Sequence, residues 1–394
     1  MHKTIYILGL GLLLGACDGF FGVETPTDFL DEPQFDDKTV AYVPIQPVWE
    51  GFVDPVDIIA GWDELIYIAD GGAEEIISFD QAGNELGRFK VPGLQSISQD
   101  RRLDILATGR KDTVINGSPF NLPAIYRISL NKNGDYGLQN AAIVKTIVHP
   151  FFFKSSTPTS NDELAAFEAV APMGNNRYYV ARSGVSNSPN QFGGPDNAVL
   201  IFDENDVFES PVFVSTNLGL FRDYFKDPSS IVSVAQPPQS PAVNNRGDFY
   251  FSSLSDNALS VQGIRFTETE GGFSYDVINF IIGTENQADG FLYEANKFSS
   301  PVDITLAGDG TNYIFVVDSE KDSLFQFNAL GYEGVNPPAG SSSDKAIRAS
   351  FGGTGEELTQ FRNPKAVAYL DQIVYVADAG NNRILRFKLT TDFE

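Results

Sequence analysis

The sequence predicts an all-β fold: a closed ring of repeated four-stranded antiparallel units. Three observations carry this. First, Pro55…Asp70-x5-Ile76-x2-Phe79, Pro301…Asp318-x5-Leu324-x2-Phe327 and Pro364…Asp378-x5-Ile384-x2-Phe387 keep identical spacing from the Asp onward, and a supersecondary unit that reappears at a distance marks a closed repeat architecture. Second, each copy alternates short β-branched and aromatic runs with turns of Gly, Asn and Asp. Third, the chain carries 32 Phe and 15 Tyr against 2 Met, a composition suited to filling the wedges between neighbouring sheets with flat rings. At 394 residues the chain has the length of two ordinary domains, but such rings exceed the usual domain size as one unit.

The elements follow in order. Leu65–Ala69 is a strand, Asp70-Gly71-Gly72 a turn and Ile76–Phe79 the next strand, with a fourth over Leu86–Lys90. Leu103–Ala107 with Ala124–Ile128 predicts a second unit, split by a Gly/Pro/Asn-rich insert at 109–123. Arg177–Ala181 with Ala198–Phe202 predicts a third, carrying an insert at 183–197, and Asp248–Ser252 with Gly263–Phe266 a fourth. Tyr313–Val317 with Ser323–Phe327 is the fifth, and Gly331 stands in register with Gly83. In the sixth, Ala366–Tyr369, Ile373–Ala377 and Ile384–Leu389 are strands, and the tetrad Gly380-Asn381-Asn382-Arg383 is hairpin material. Four short antiparallel strands repeated six times predict a six-bladed β-propeller. The last blade runs out of chain after three strands, which would leave an open sheet edge. Residues near 39–48 have strand composition, and Pro44 suits an outermost position where one N–H is missing. The ring is therefore expected to close by an N-terminal strand.

A Pro before the inner strand, an apolar-Tyr-Val-Ala-Asp second strand, an Asn-rich turn and a third strand ending in Phe together resemble the NHL-repeat family of β-propellers. Phe351-Gly352-Gly353-Thr354-Gly355 leading to Phe361-Arg362-Asn363-Pro364 is similar to that family's inter-blade link. The match is specific at blades one, five and six and loose between them. Amidating lyases of similar fold hold zinc with several histidines. Beyond His2 in the leader, this chain has only His149, so that chemistry is excluded.

Met1-His2-Lys3 followed by the apolar stretch Thr4–Ala16 reads as a secretory signal peptide, too short for a membrane span. Leu14-Gly15-Ala16-Cys17 is similar to the lipobox of bacterial lipoproteins. Cys17, the only cysteine, is the expected lipid-attachment residue, and no intramolecular disulfide is possible. The expected organisation is a signal peptide at 1–16, the lipidated Cys and an acidic tether at 17–38, and the propeller at 39–394. Outer membrane is the expected location, on the surface or the periplasmic face.

Formal charge is −25. Loss of Lys3 with the leader leaves 26 basic against 52 acidic residues, a net charge of about −26. The acid is scattered, which suits a solvated surface and excludes nucleic acid as a partner.

Candidate sites are few. Asp70, Asp318 and Asp378 each follow an apolar strand and open a hairpin, so turn bonding is the expectation rather than calcium or catalysis. His149, in Val148-His149-Pro150-Phe151-Phe152-Phe153, is the only base a Ser-His-Asp triad could use, and no Gly-x-Ser-x-Gly elbow accompanies it. Asn131-Lys132-Asn133-Gly134-Asp135 lacks the terminal acid of a calcium loop and reads as a turn. No catalytic residue and no metal ligand is assigned, and no cofactor is expected, calcium being the alternative. The irregular inserts place aromatics in turn-rich segments, and Phe151, Phe152, Phe153, Phe192, Phe221, Tyr224, Phe291 and Tyr293 are the interaction candidates. The leading expectation is a membrane-anchored, non-enzymatic scaffold or accessory subunit that binds another outer-membrane or cell-surface protein. The alternatives are a divalent-cation-dependent lactonase or lyase using the central channel, and a glycan-binding module.

Overall fold

In the computed structural model, the described residues are 40–151, 156–188, 195–237, 247–255, 259–270, 272–280, 286–337 and 345–393. Cys17, Phe152, Phe153 and Phe192 lie outside them. Strand β1 (Tyr42–Glu50) comes first. Blade one is β2 (Pro55–Ala60), β3 (Ile66–Asp70), β4 (Glu75–Phe79) and β5 (Glu85–Lys90). Blade two is β6 (Ser96–Gln99), β7 (Ile105–Ile115), β8 (Ser118–Ser129) and β9 (Ala142–Val148). A short helix α1 (Ser160–Leu164) precedes blade three, β10 (Ala166–Pro172), β11 (Tyr178–Ser183), β12 (Ala198–Phe202) and β13 (Phe208–Pro211). A hairpin of β14 (Val214–Thr216) and β15 (Gly219–Phe221) leads to blade four, β16 (Pro228–Ser233), β17 (Phe249–Ser253), β18 (Val261–Thr269) and β19 (Gly272–Val277). Blade five is β20 (Pro301–Leu306), β21 (Ile314–Asp318), β22 (Ser323–Phe327) and β23 (Phe351–Gly352). Blade six has β24 (Ala366–Leu370), β25 (Ile373–Asp378) and β26 (Arg383–Leu389) of its own.

The fold is the six-bladed propeller that the repeat predicts, and β1 closes it. That strand pairs antiparallel with β26 as the outermost strand of blade six, Tyr42 opposite Leu389 and Glu50 opposite Arg383. It starts and ends slightly later than the 39–48 read from sequence. Trp49 explains the extension: its buried ring stacks on Phe79 at 4.8 Å and 17°, so the strand continues to seat it against blade one. Pro44 sits opposite Phe387, in the edge position expected for a residue without an N–H.

Two departures stand out. The 109–123 insert is not irregular, because β7 and β8 continue through it as one long hairpin, from Ile105 opposite Ile128 to Ile115 opposite Ser118. Asn116 and Gly117, both at positive φ, make its two-residue turn. Blade four exceeds four strands, since β14 adds parallel to β19 and β15 pairs outside it.

Each wedge between successive blades holds its own apolar cluster. Tyr67, Ile76, Ala107 and Tyr126 lie between blades one and two, and Tyr179, Val199, Phe249 and Phe251 between three and four. The Tyr179 and Phe249 rings meet at 4.6 Å. Burial of this kind contributes roughly 1.5–3 kcal/mol per large apolar side chain.

The repeated Asp is a staple. Asp70 accepts the backbone N–H groups of Val53 and Asp54 at 2.8 and 2.9 Å, and that of Ala73 across its own turn. Asp318 accepts from Ser299, Ser300, Glu320 and Lys321. Asp378 accepts from the Arg362 N–H, the Asn381 amide and the Arg383 guanidinium. All three are buried. The repeated Pro and the repeated Asp are thus two ends of one device: the carboxylate ties the chain entering the inner strand to the hairpin beside it. Asn382, at φ 54, completes the sixth-blade turn.

Candidate functional site: the channel and its two mouths

The inner strands β2, β6, β10, β16, β20 and β24 surround a channel of about 640 Å³. The tetrapeptide Pro-Val-Asp-Ile occurs twice, at 55–58 and 301–304, and in each copy the register shifts between Pro and Asp. This bulge turns Asp57 and Asp303 towards the channel wall. Asp57 accepts from the Ser96 hydroxyl at 2.7 Å and the Ile97 N–H at 2.8 Å, both on the inner strand of blade two. Its other oxygen accepts from Ile58 at 2.7 Å. Asp303 accepts from the Val367 N–H of blade six at 2.8 Å and the Ser230 hydroxyl of blade four at 2.6 Å. Ser230 holds the same station in blade four and in turn accepts from the Ile304 N–H at 3.4 Å. Each such residue fastens its inner strand to the next. Blade six has Ala366 at this station, which cannot accept, and Asp57 supplies Ile58 with the missing acceptor itself.

Burial raises the carboxyl of Asp57 above its ordinary value, against the bonds from Ile97, Ser96 and Ile58. Burial and the nearby Asp57 push Asp303 up to about 7. The sequence reading missed both residues, although the exact repetition of Pro-Val-Asp-Ile was the signal; the Asp of the second strand drew attention instead.

At the mouth where the inner strands begin, Asp54 pairs with Lys365 at 3.3 Å. Glu168 accepts from the Ser183 hydroxyl and Asp227 from the Asn197 amide. Burial raises the Glu168 carboxyl, the Asp227 charge adds to this, and Ser183 opposes it. At the far mouth Trp62 donates its backbone N–H to the side-chain oxygen Oε1 of Gln99 at 2.6 Å, and Arg101 stacks on its ring at 4.4 Å. There Asp63 accepts from Tyr67, Tyr136 and Gln99.

His149 does not line this channel. It is fully buried, with Nε2 3.0 Å from Asp162 Oδ1 and its ring against Phe167. Burial alone would raise the Asp162 carboxyl; the bonds from His149 and from the Thr159 N–H and hydroxyl outweigh it and hold that group well below the usual range.

The described aromatic candidates are not brought together at one surface. Phe151 is buried. Tyr293 is buried, donating to the Ile278 carbonyl and accepting from the Gly263 N–H. Tyr224 donates to Gln262 and sits edge-on to Phe225. Phe291 packs edge-on to Tyr332 at 5.7 Å. Phe221 alone of these is exposed, at the end of β15. Asn131–Asp135 is a turn region.

Fold and channel together define a six-bladed β-propeller with a polar axial cavity. No family model matches the chain, and no curated protein does. Among solved structures it is similar to a luciferin-regenerating enzyme, with TM-score 0.51 and 8% identity over 88% of this chain and 95% of that one. It is similar to an auxiliary nutrient binding protein from Bacteroides thetaiotaomicron, with TM-score 0.48 and 12% identity over 86% and 70%. A gluconolactonase from Xanthomonas campestris gives 0.47 and 9% over 86% and 88%. At these identities the likeness is one of fold.

Proposed function

We propose that the chain is a lipoprotein of the NHL-repeat type, anchored through acyl groups on Cys17, that works by binding as an accessory subunit of an outer-membrane complex. The observation that carries binding over catalysis is the commitment of the channel carboxyls. Asp57 and Asp303, the acids set deepest among the inner strands, spend their oxygens on main-chain and serine donors of neighbouring blades. These bonds turn the carboxyl oxygens towards the ring itself rather than towards a bound molecule, and it is this engagement, not the raised carboxyl of Asp303, that favours binding. The anchor rests on the single cysteine at the end of an apolar leader. Labelled palmitate incorporated by wild type and not by Cys17→Ala is the expected result for the anchor; equal labelling refutes it. A stoichiometric partner co-purifying from native membranes in mild detergent is the expected result for the accessory role; purification without one refutes that role.

A second reading is favoured by the room in the channel, about 640 Å³, and by the acids at its mouth: a divalent-cation-dependent lactonase or lyase. Calcium bound stoichiometrically by the pure protein, with a melting temperature lowered by chelator, would move the conclusion to this reading.

A further inference from the structure

The strands of a blade alternate in direction, so its loops divide between two faces. The inter-blade bonds match the start of one inner strand with the start of the next, Asp57 to Ile97 and Asp303 to Val367. All inner strands therefore begin on one face, here the entry face. The links into the inner strands and the hairpins between second and third strands open there.

The entry face is built in two halves. On blades five, six and one the second-to-third connections are the tight Asp turns, four residues long, from Asp318, Asp378 and Asp70 to the next strand. On blades two, three and four, four departures from the plain repeat rise on this same face. These are the β7–β8 extension, α1 with the residues from 156 onward, the described residues 184–188 and 195–197 between β11 and β12, and the β14–β15 hairpin. Neighbouring pieces of this wall bond to one another: Asn116 donates to Thr157, Arg110 to the carbonyls of Ala165 and Glu163, and Asn197 to Asp227. The wall exposes apolar side chains: Val114 (70%), Leu164 (64%), Val185 (58%), Leu218 (89%) and Leu254 (50%). At its foot lies the mouth with Asp54, Glu168 and Asp227, where Lys365 is the one basic residue lining the channel among the described residues. Meanwhile β1 begins on the opposite face, with Tyr42 beside Leu389 at the far end of β26. The described chain therefore enters the ring on the face away from this wall.

We propose that the entry face is the docking surface for a protein partner, which lays apolar residues against the wall of blades two to four and directs a Lys or Arg side chain into the acidic mouth. Charge complementarity selects this occupant. The mouth carries three carboxylates and one ammonium, and the apolar residues stand on a raised wall rather than in a closed pocket. A glycan would leave Val114, Leu164, Val185 and Leu218 without a role.

This inference rests on the accessory-subunit reading, and its test separates the two. A photo-cross-linking residue is placed, one site at a time, in the full-length anchored chain in native membranes. Val185 and Leu218 report the entry face; Val207 and Leu330, 56% and 62% exposed on the other face, are matched controls. The expected result is a discrete adduct from Val185 and Leu218 alone. Its yield should fall roughly tenfold in Asp54→Asn/Glu168→Gln/Asp227→Asn, and the wild-type adduct should weaken with rising salt. Adducts from Val207 and Leu330 alone overturn the docking face and leave the accessory role standing. Adducts from no position overturn both. An entry-face adduct indifferent to salt overturns the basic partner, and this holds even if the triple variant does not fold.

Discussion

Replacing Asp303 by Asn tests the account of the channel directly. In the folded chain burial and the Asp57 charge hold the Asp303 carboxyl up at about 7, against 3.8 for a free carboxyl. Well below pH 3.8 both folded and unfolded chains carry it neutral, and it contributes no pH dependence. Between pH 4 and 7 the unfolded chain ionises first, so folding stability falls as pH rises; above 7 the loss is complete. One unit corresponds to about 1.4 kcal/mol, so the upper limit of the loss is roughly 4 kcal/mol. An effective dielectric well above that of a dry interior screens the charge, and about 2 kcal/mol is the expected loss. In Asp303→Asn the side-chain oxygen keeps the Val367 N–H and the amide faces Ser230, so the staple survives without the charge. Denaturant unfolding followed by the fluorescence of Trp49 and Trp62, at half-unit steps from pH 4 to 8, measures the difference. The variant should equal or fall below wild type at pH 4 and exceed it by about 2 kcal/mol at pH 8. Stability curves that run parallel across this range would refute the reasoning, because a merely altered hydrogen bond changes stability by the same amount at every pH.

Three other outcomes are expected. Asp318→Ala leaves four backbone N–H groups without their acceptor and should cost about 2–4 kcal/mol in the same unfolding measurement, with Asp318→Asn costing less. Deleting residues 18–48 removes most of β1 and uncovers the edge of β26, and calorimetry should show a lower melting temperature; an unchanged value would contradict the closure of the ring. Gln326 is fully buried with neither amide atom partnered among the described residues, so Gln326→Leu should raise stability by roughly 1 kcal/mol in urea.

The sequence by itself determined the repeat, the six blades, the closing strand and the structural, turn-bonding character of Asp70, Asp318 and Asp378, while their tie to the chain entering the inner strand came from the structure. These are local matters. A strand, its turn and the N–H groups beside that turn lie within about twenty residues of one another, and spacing alone records them. Asn116-Gly117 was equally legible as a two-residue turn, and the Gly and Pro around it obscured a regular hairpin. Pro-Val-Asp-Ile was also there to be read, but not its use: the donors to Asp57 and Asp303 come from other blades, 39 to 73 residues away. Only ring closure brings those strands together. The fate of the aromatics was likewise settled in three dimensions. Phe151 and Tyr293 stand in turn-rich sequence yet pack inward, because a curved ring needs filling at its rim as well as in its wedges. The division of the loops between a low and a raised half-face is the furthest from the sequence of all. It depends on which end of each strand a loop joins, a property of direction within the closed ring that no single stretch of residues contains.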